Sequence, residues 1–262
     1  MDIKALFFDI DGTLVSFNTH LIPQSTIDSL RLAKQQGIKV YISTGRPLPF
    51  IVNLGQIADL IDGYITATGA MCMVGNEVVS CHSIEAGDVE KVLEACDRWQ
   101  LPCIVVGAQH IGVYRHNALV DEIFSKGLGL HDFVYTPLDS VLKEPIIQLT
   151  PFITTEQERE LLAQLHACNS GRWTAAFTDI THADADKGKG LLAMAAHEHL
   201  DVAQTIAFGD GGNDITILRQ AGIGVAMGNA VEEVKQNADF ITTSVDEDGI
   251  RNALSQLIGI GA

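Results

Sequence analysis

Two short apolar runs at opposite ends of the chain each finish in an acidic turn containing glycine, and this pairing constrains the fold more than any other feature. Ala5-Leu6-Phe7-Phe8 leads into Asp9-Ile10-Asp11-Gly12-Thr13-Leu14, and Thr205-Ile206-Ala207-Phe208 leads into Gly209-Asp210-Gly211-Gly212-Asn213-Asp214. Runs of this length and composition, bounded by turn residues, read as buried strands. Carboxylates at the ends of such strands fall where open α/β sheets carry their chemistry. If the two strands lie side by side and parallel, residues 9 and 210 meet, and the sheet is made from both ends of the chain.

The stretches between follow a strand-helix alternation with one interruption. Pro23 to Gln36 carries Ile27, Leu30 and Ala33 on one helical stripe and stops at Gly37. Lys39 to Ser43 reads as a second strand, followed by Thr44-Gly45-Arg46-Pro47 and another helix. Tyr64 to Thr66 is a third strand, and Gly75-Asn76 marks a hairpin. From about Ser83 the pattern changes. A helix bearing Val89, Val92, Leu93 and Cys96 is followed by strands near 103–106, 111–114 and 146–149. Leu119, Val120, Ile123 and Phe124 mark an amphipathic helix, and Thr155 with Glu158 reads as a capping box. A hairpin-like pair around Arg172 to Thr181 ends this stretch. A helix from Lys189 to His199 then restarts the alternation. The expected fold class is α/β: a parallel-sheet core from residues 1–82 and 184–262, with an α+β unit, 83–183, inserted between.

Composition excludes several partners. A formal net charge of −16 argues against nucleic acid. No apolar run approaches the roughly 20 residues of a membrane span, and no leader segment is read at the start. The five cysteines (72, 81, 96, 103 and 168) are odd in number and form no Cys-x-x-Cys, which fits a reducing cytoplasm better than a disulfide framework or zinc site. Nothing in the sequence sets an oligomeric state.

The acidic turns carry the chemistry. Buried carboxylates as close as Asp9 and Asp11 require a cation or a shared proton. Adding Asp210 and Asp214 gives a hard, all-oxygen site of the kind that suits Mg²⁺. Asn213 or Asp214 can also cap the next helix. Ser43-Thr44-Gly45-Arg46 ends a strand and opens a helix, so a hydroxyl and backbone N–H groups there can hold a phosphate oxygen with the helix dipole assisting. Asp186-Lys187-Gly188-Lys189-Gly190 offers a point charge from either lysine. Competing chemistries lack their motifs: there is no Gly-x-Ser-x-Gly, no Gly-x-x-x-x-Gly-Lys-[Ser/Thr], and His197-Glu198-His199 is not His-Glu-x-x-His.

Taken together, Phe8 to Leu14, Ser43-Thr44-Gly45-Arg46, Lys187-Gly188 and Gly209 to Asp214 resemble the four motifs of the haloacid dehalogenase superfamily of phosphatases. The large insertion and the closing Gly224-Val225-Ala226-Met227-Gly228-Asn229-Ala230 resemble its Cof-type, sugar-phosphatase branch. The chain departs from that pattern at Thr68-Gly69-Ala70, where relatives often have Asn-Gly-Ala, and at His199-Leu200-Asp201. The resemblance implies a Rossmann-like core with an α/β cap, and hydrolysis of small phosphate esters, above all hexose or pentose phosphates. It implies Asp9 as nucleophile and Asp11 as general acid and base. Mg²⁺ would be held by the Asp9 carboxylate, the Asp11 backbone carbonyl and Asp210, with Asp214 behind them or acting through water. Phosphoryl oxygens would be held by Thr44, the N–H groups of Ile10 and Gly45, Lys187 and Asn213. Spacing to the Asp210 strand favours Lys187 over Lys189. A phosphosugar mutase using the same chemistry is the nearest alternative, and a non-catalytic module that binds Mg²⁺ and phosphate is a more distant one. The insertion is expected to close over the site as a cap. Arg46 and Arg172 are candidate substrate contacts, as by polarity and position are Arg115 and His116, whereas Trp173 reads as a packed core aromatic.

Overall fold

The computed structural model describes residues 2–127, 130 and 133–261, the side chains of residues 125–127 excepted. The chain begins with β1 (Ala5–Phe8), α1 (Gln24–Gln35), β2 (Lys39–Ser43), β3 (Gly63–Thr66), β4 (Met71–Val74) and β5 (Glu77–Cys81). It continues through α2 (Ala86–Trp99), β6 (Cys103–Gly107), β7 (Ile111–Tyr114), α3 (Ala118–Val120), α4 (Leu138–Val141), β8 (Ile146–Pro151), α5 (Thr155–Leu162), β9 (Cys168–Gly171) and β10 (Asp179–His182). The last stretch holds α6 (Lys187–His197), β11 (Thr205–Gly209), α7 (Ile215–Gln220), β12 (Ile223–Ala226), α8 (Glu232–Lys235), β13 (Phe240–Ile241) and α9 (Gly249–Ile258). Contacts divide it into two units: Met1–Ser80 with Asp186–Ala262, and Cys81–Ala185.

The first unit is a sheet in the order β13-β12-β11-β1-β2-β3-β4-β5, parallel from β13 to β3. The hairpin strand β4 runs antiparallel to β3. Period-two alternation sorts the strand residues onto two covered faces. Leu6, Phe8, Val40, Ile42, Ile206 and Phe208 pack under α1 and α9, through Ile27 and Leu30 and through Ile250 and Leu254. Ala5, Phe7, Tyr41 and Ala207 face the other way, onto Leu191 and Met194 of α6 and Ile217 and Leu218 of α7. β1 pairs with β11 in the register Phe8↔Phe208. Chain connections lead from β1 towards β2 on one side and from β11 towards β12 on the other. The carboxyl ends of β1 and β11 therefore flank the switch point of the sheet, where such folds open a crevice.

The second unit is an antiparallel sheet, β7-β6-β8-β10-β9. Val89, Val92 and Cys96 on one stripe of α2 cover Val105, Leu149 and Ile180. Phe124, Phe152 and Phe177 form an aromatic cluster with ring centroids 5.3–5.9 Å apart. Asp88, buried in the first turn of α2, accepts from Lys91 Nζ at 2.8 Å and from the His166 backbone N–H at 2.9 Å. Burial alone would raise its carboxyl, but these bonds outweigh that and hold it well below the usual range. A lowered carboxylate stabilises the fold above its unfolded pKa of about 3.9, and that share is lost as pH falls further. Asp88→Asn is therefore expected to cost about 1–2 kcal/mol near neutral pH. The cost should shrink below pH 4, measured by urea unfolding at pH 7 and pH 3; an equal cost at both would refute the linkage.

Three local expectations give way. No α-helix follows Arg46: Pro47 and Pro49 permit only a 3₁₀ turn at Leu48–Phe50, so no helix dipole stands behind Thr44. The capping box lies one residue earlier than Thr155 and Glu158, at Thr154 and Gln157, because Glu158 is turned inward to Arg172 and Thr178. The helix expected over Leu119 to Phe124 is one short turn, α3, followed by a π-helical stretch at Asp121–Gly127.

Candidate active site

Asp9 follows β1 directly, and its backbone N–H donates to the Phe208 carbonyl at 3.0 Å, extending the β1–β11 ladder by one rung. The chain then turns at Gly12, whose φ of +88° suits glycine. A Cβ there would also lie 2.2 Å from Asp210 Oδ2, so glycine lets the two acidic loops approach. Thr13 Oγ1 donates to Asp210 Oδ1 at 2.8 Å, and Asn229 Nδ2 donates to Asp210 Oδ2 at 3.2 Å and to the Gly12 carbonyl at 2.9 Å. The sequence reading missed Thr13 and Asn229 as site residues, although both stand inside motifs it singled out.

Lys187, the first residue of α6, is fully buried. Its Nζ donates to Asp9 Oδ1 at 2.7 Å and to Asp214 Oδ1 at 2.5 Å. Lys189 is exposed, and its backbone N–H is capped by Asp186. The helix comes this close because Gly190 packs on the sheet; a Cβ there would meet Ile65 Cγ2 at 2.7 Å. Asp214 does not cap α7 as expected. Its second oxygen turns back to accept from the N–H groups of Asp210 and Gly211, at 3.1 and 2.9 Å.

Asp9, Asp210 and Asp214 each offer an oxygen within 4.8 Å of the others. Burial first, then the neighbouring Asp214, push the Asp9 carboxyl up to about 8, with Lys187 opposing. Burial likewise pushes Asp210 up to about 6, against the Thr13 hydrogen bond. Lys187 goes up as well: burial would lower it, but Asp214 and Asp9 outweigh the burial. A carboxylate cluster this crowded, with one lysine, fits a divalent cation, which would favour the charged forms. Asp214 uses its oxygens on Lys187 and the Asp210 and Gly211 N–H groups, and Asp210 uses its own on Thr13 and Asn229. Of the three, only Asp9 keeps an oxygen, Oδ2, without a hydrogen bond among the described residues. The Asp11 carbonyl, with no hydrogen-bond donor among the described residues, completes an oxygen set.

Beside this cluster lies a neutral cradle. Thr44 Oγ1 accepts from the Arg46 N–H at 3.1 Å, which leaves its hydroxyl hydrogen to donate outward. A Cβ at Gly45 would lie 3.5 Å from both Asn213 Nδ2 and Thr68 Oγ1, so these three residues border one small polar space. The N–H groups of Ile10 and Gly45 have no acceptor among the described residues. The Asp11 carboxylate is held by Arg46, Nε to Oδ2 and Nη2 to Oδ1, both at 2.8 Å.

The candidates in the second unit are engaged locally. Arg172 bonds Glu158 at 2.6 Å and the carbonyls of Ile153, Thr174 and Ala175. Arg115 pairs with Asp97 and His116 with Asp121. Trp173 is not packed in a core: it is 61% exposed, and its indole N–H donates to Asp179 at 3.0 Å. All five cysteines are free.

Fold and site together define a class, the parallel-sheet α/β proteins that carry a carboxylate cluster at the switch point of the sheet. The chain belongs to the haloacid dehalogenase-like hydrolases, whose family model matches residues 6–254. The solved structure of the HAD subclass IIB sugar phosphatase BT4131 superposes with a TM-score of 0.87 at 46% identity, over 97% of this chain and 98% of that one. BT1666 from Bacteroides thetaiotaomicron, from a study of phosphatases of the same superfamily, superposes with a TM-score of 0.84 at 34% identity, over 97% and 94%. YkrA of Bacillus subtilis (strain 168), provisionally named a phosphatase, is 32% identical over 263 residues, 98% of each chain. The protein is thus an enzyme of the phosphoric monoester hydrolase type, with an acidic cluster of the kind that holds this family's divalent metal. Among the described residues no helix is long and apolar enough to cross a membrane.

Proposed function

We propose that this enzyme is a Mg²⁺-dependent phosphatase of the cytoplasm that hydrolyses sugar phosphates of hexose or pentose size through an aspartyl-phosphate. One observation carries the reading. Asp9 ends the central strand with one oxygen on Lys187 and the other, Oδ2, without a hydrogen bond among the described residues. A nucleophile needs such an oriented but unspent oxygen. Asp9 attacks phosphorus, the bond from phosphorus to the sugar oxygen breaks, and Asp11 gives that oxygen a proton. Water then attacks the aspartyl-phosphate, its proton passes to Asp11, and inorganic phosphate leaves. Lys187, Thr44, Asn213 and the N–H groups of Ile10 and Gly45 hold the phosphoryl oxygens in place, which is most of what phosphoryl transfer asks of a protein. The residues that would hold Mg²⁺ are Asp9, the Asp11 carbonyl and Asp210, with Asp214 steadying the loop. What Mg²⁺ supplies there is positive charge, so that an anionic nucleophile can meet an anionic ester.

The sugar as leaving group rests on the 46% identity to BT4131, which is named as a sugar phosphatase. The test is a screen of phosphate esters with Mg²⁺. A hexose 6-phosphate should be turned over faster than a phosphopeptide, and excess EDTA should remove the rate. A phosphopeptide preferred tenfold, about 1.4 kcal/mol of discrimination, would overturn the small-ester reading. A rate indifferent to EDTA would overturn the metal.

A further inference from the structure

We infer that Arg46 is a positioning residue that acts through Asp11, rather than a ligand of the substrate. The inference rests on Asp11 being the proton-transfer group of the proposed reaction. Asp11 stands on the turn after β1 with its side chain 37% exposed, and that of Arg46 is 19% exposed. Ion pairs near a surface contribute little unless their geometry is fixed. This one is fixed at three points. The guanidinium meets both Asp11 oxygens as a two-pronged fork, and its third nitrogen, Nη1, donates to the Phe50 carbonyl at 3.3 Å. The backbone of Arg46 is tied on both sides as well: its N–H donates to Thr44 Oγ1, and its carbonyl accepts from the Ala67 N–H at 3.0 Å.

Two consequences follow from this geometry. Three of the five guanidinium N–H groups already have a protein oxygen, both prongs of the fork among them, so turning the fork onto a substrate would mean giving up Asp11. The same residue joins Thr44, which faces the phosphoryl group, to Asp11, which must reach the oxygen leaving it. A carboxylate gripped by two parallel bonds has its plane and both torsions set. When one oxygen takes or gives a proton, the bond at the other can persist, so Asp11 pivots rather than swings free. The proton passes from Asp11 to the leaving oxygen in the first step and from water to Asp11 in the second, and no other reactant is needed. A lysine could offer charge at this position but no fork.

The experiment measures kcat and KM for Arg46→Ala and Arg46→Lys on a hexose 6-phosphate with saturating Mg²⁺, and repeats Arg46→Ala in an Asp11→Asn background. Misplacing a catalytic group costs up to about a hundredfold. Arg46→Ala should therefore lower kcat by about ten- to a hundredfold, with KM unchanged within about twofold. Arg46→Lys should recover only part of the loss. In the Asp11→Asn background Arg46→Ala should cost nothing further, since a positioning residue has nothing left to position. A raised KM at unchanged kcat would overturn the inference, as would an undiminished loss in the Asp11→Asn background. Arg46→Lys keeps the charge and most of the stem, so the test survives if Arg46→Ala does not fold. Wild-type turnover is the control: its absence overturns the proposed function, whereas its presence with either adverse result overturns the role of Arg46 alone.

Discussion

Asp9→Asn is expected to abolish turnover, by on the order of 10⁴-fold or more, and to leave the protein at least as stable as before. The two halves of that outcome have the same origin. An amide in place of the carboxylate cannot attack phosphorus, so no aspartyl-phosphate forms. Yet the carboxylate is a burden to the folded chain. Burial, and then the charge of Asp214, lift its pKa to about 8, against the pull of Lys187. The neutral amide removes that burden and keeps the shape, in the usual trade of stability against activity. Steady-state rates on a hexose 6-phosphate, with a thermal melt of the same preparation, test both halves. A residual rate above about 1% of wild type, or a clearly lowered melting temperature, would count against the assignment.

Lys187→Met should be the most damaging single change to stability, at about 3–5 kcal/mol near pH 8. The ammonium is fully buried and bonded to two carboxylates, Asp9 at 2.7 Å and Asp214 at 2.5 Å. Methionine fills the volume but leaves both oxygens without their donor. The pH dependence gives a sharper signature. A carboxyl whose folded pKa is raised binds its proton more tightly folded than unfolded, so acidification favours the fold. With Asp9 at about 8 beside Lys187 and higher without it, the deficit should grow as pH rises above 8 and stay level below about 7. Urea unfolding of wild type and variant at pH 7 and pH 9 reads this directly. A deficit under about 1 kcal/mol, or one that ignores pH, would mean that the buried triad is not what holds this end of the sheet together.

Much of this architecture was legible because it rests on short-range signals. Phe7-Phe8 and Ala207-Phe208 announce strands buried on both faces, and the acidic glycine turns after them announce the crevice. That residues 9 and 210 end neighbouring strands was readable from the two patterns alone. Between Lys187 and Lys189 the neighbouring residues do not decide, since glycine follows both, and only spacing to the Asp210 strand favours Lys187. What decides is the docking of α6, where Gly190 seats against Ile65 and turns the first residue inward. The missing helix after Arg46 is a different failure. Pro47 and Pro49 break the regular alternation of strand and helix at this point, a local signal that runs against the periodic one. Thr13, Asn229 and the clamp of Arg46 on Asp11 were hidden for a third reason. Their meaning lies in which carboxylate each one meets, across up to 197 positions for Thr13 and Asp210, and polarity alone cannot supply a partner.

The order of the strands has a consequence for how the enzyme comes into being on the ribosome. β1 is made first, but β11, its partner on one side, follows only after the entire inserted unit. Until residue 214 has emerged, Asp9 stands without Asp210 and Asp214, the other two carboxylates of the acidic cluster. A fragment that ends before β11 can carry an intact Asp9, Asp11 and Thr44 and still lack that cluster. The acidic cluster is therefore assembled only after the whole inserted unit has been made.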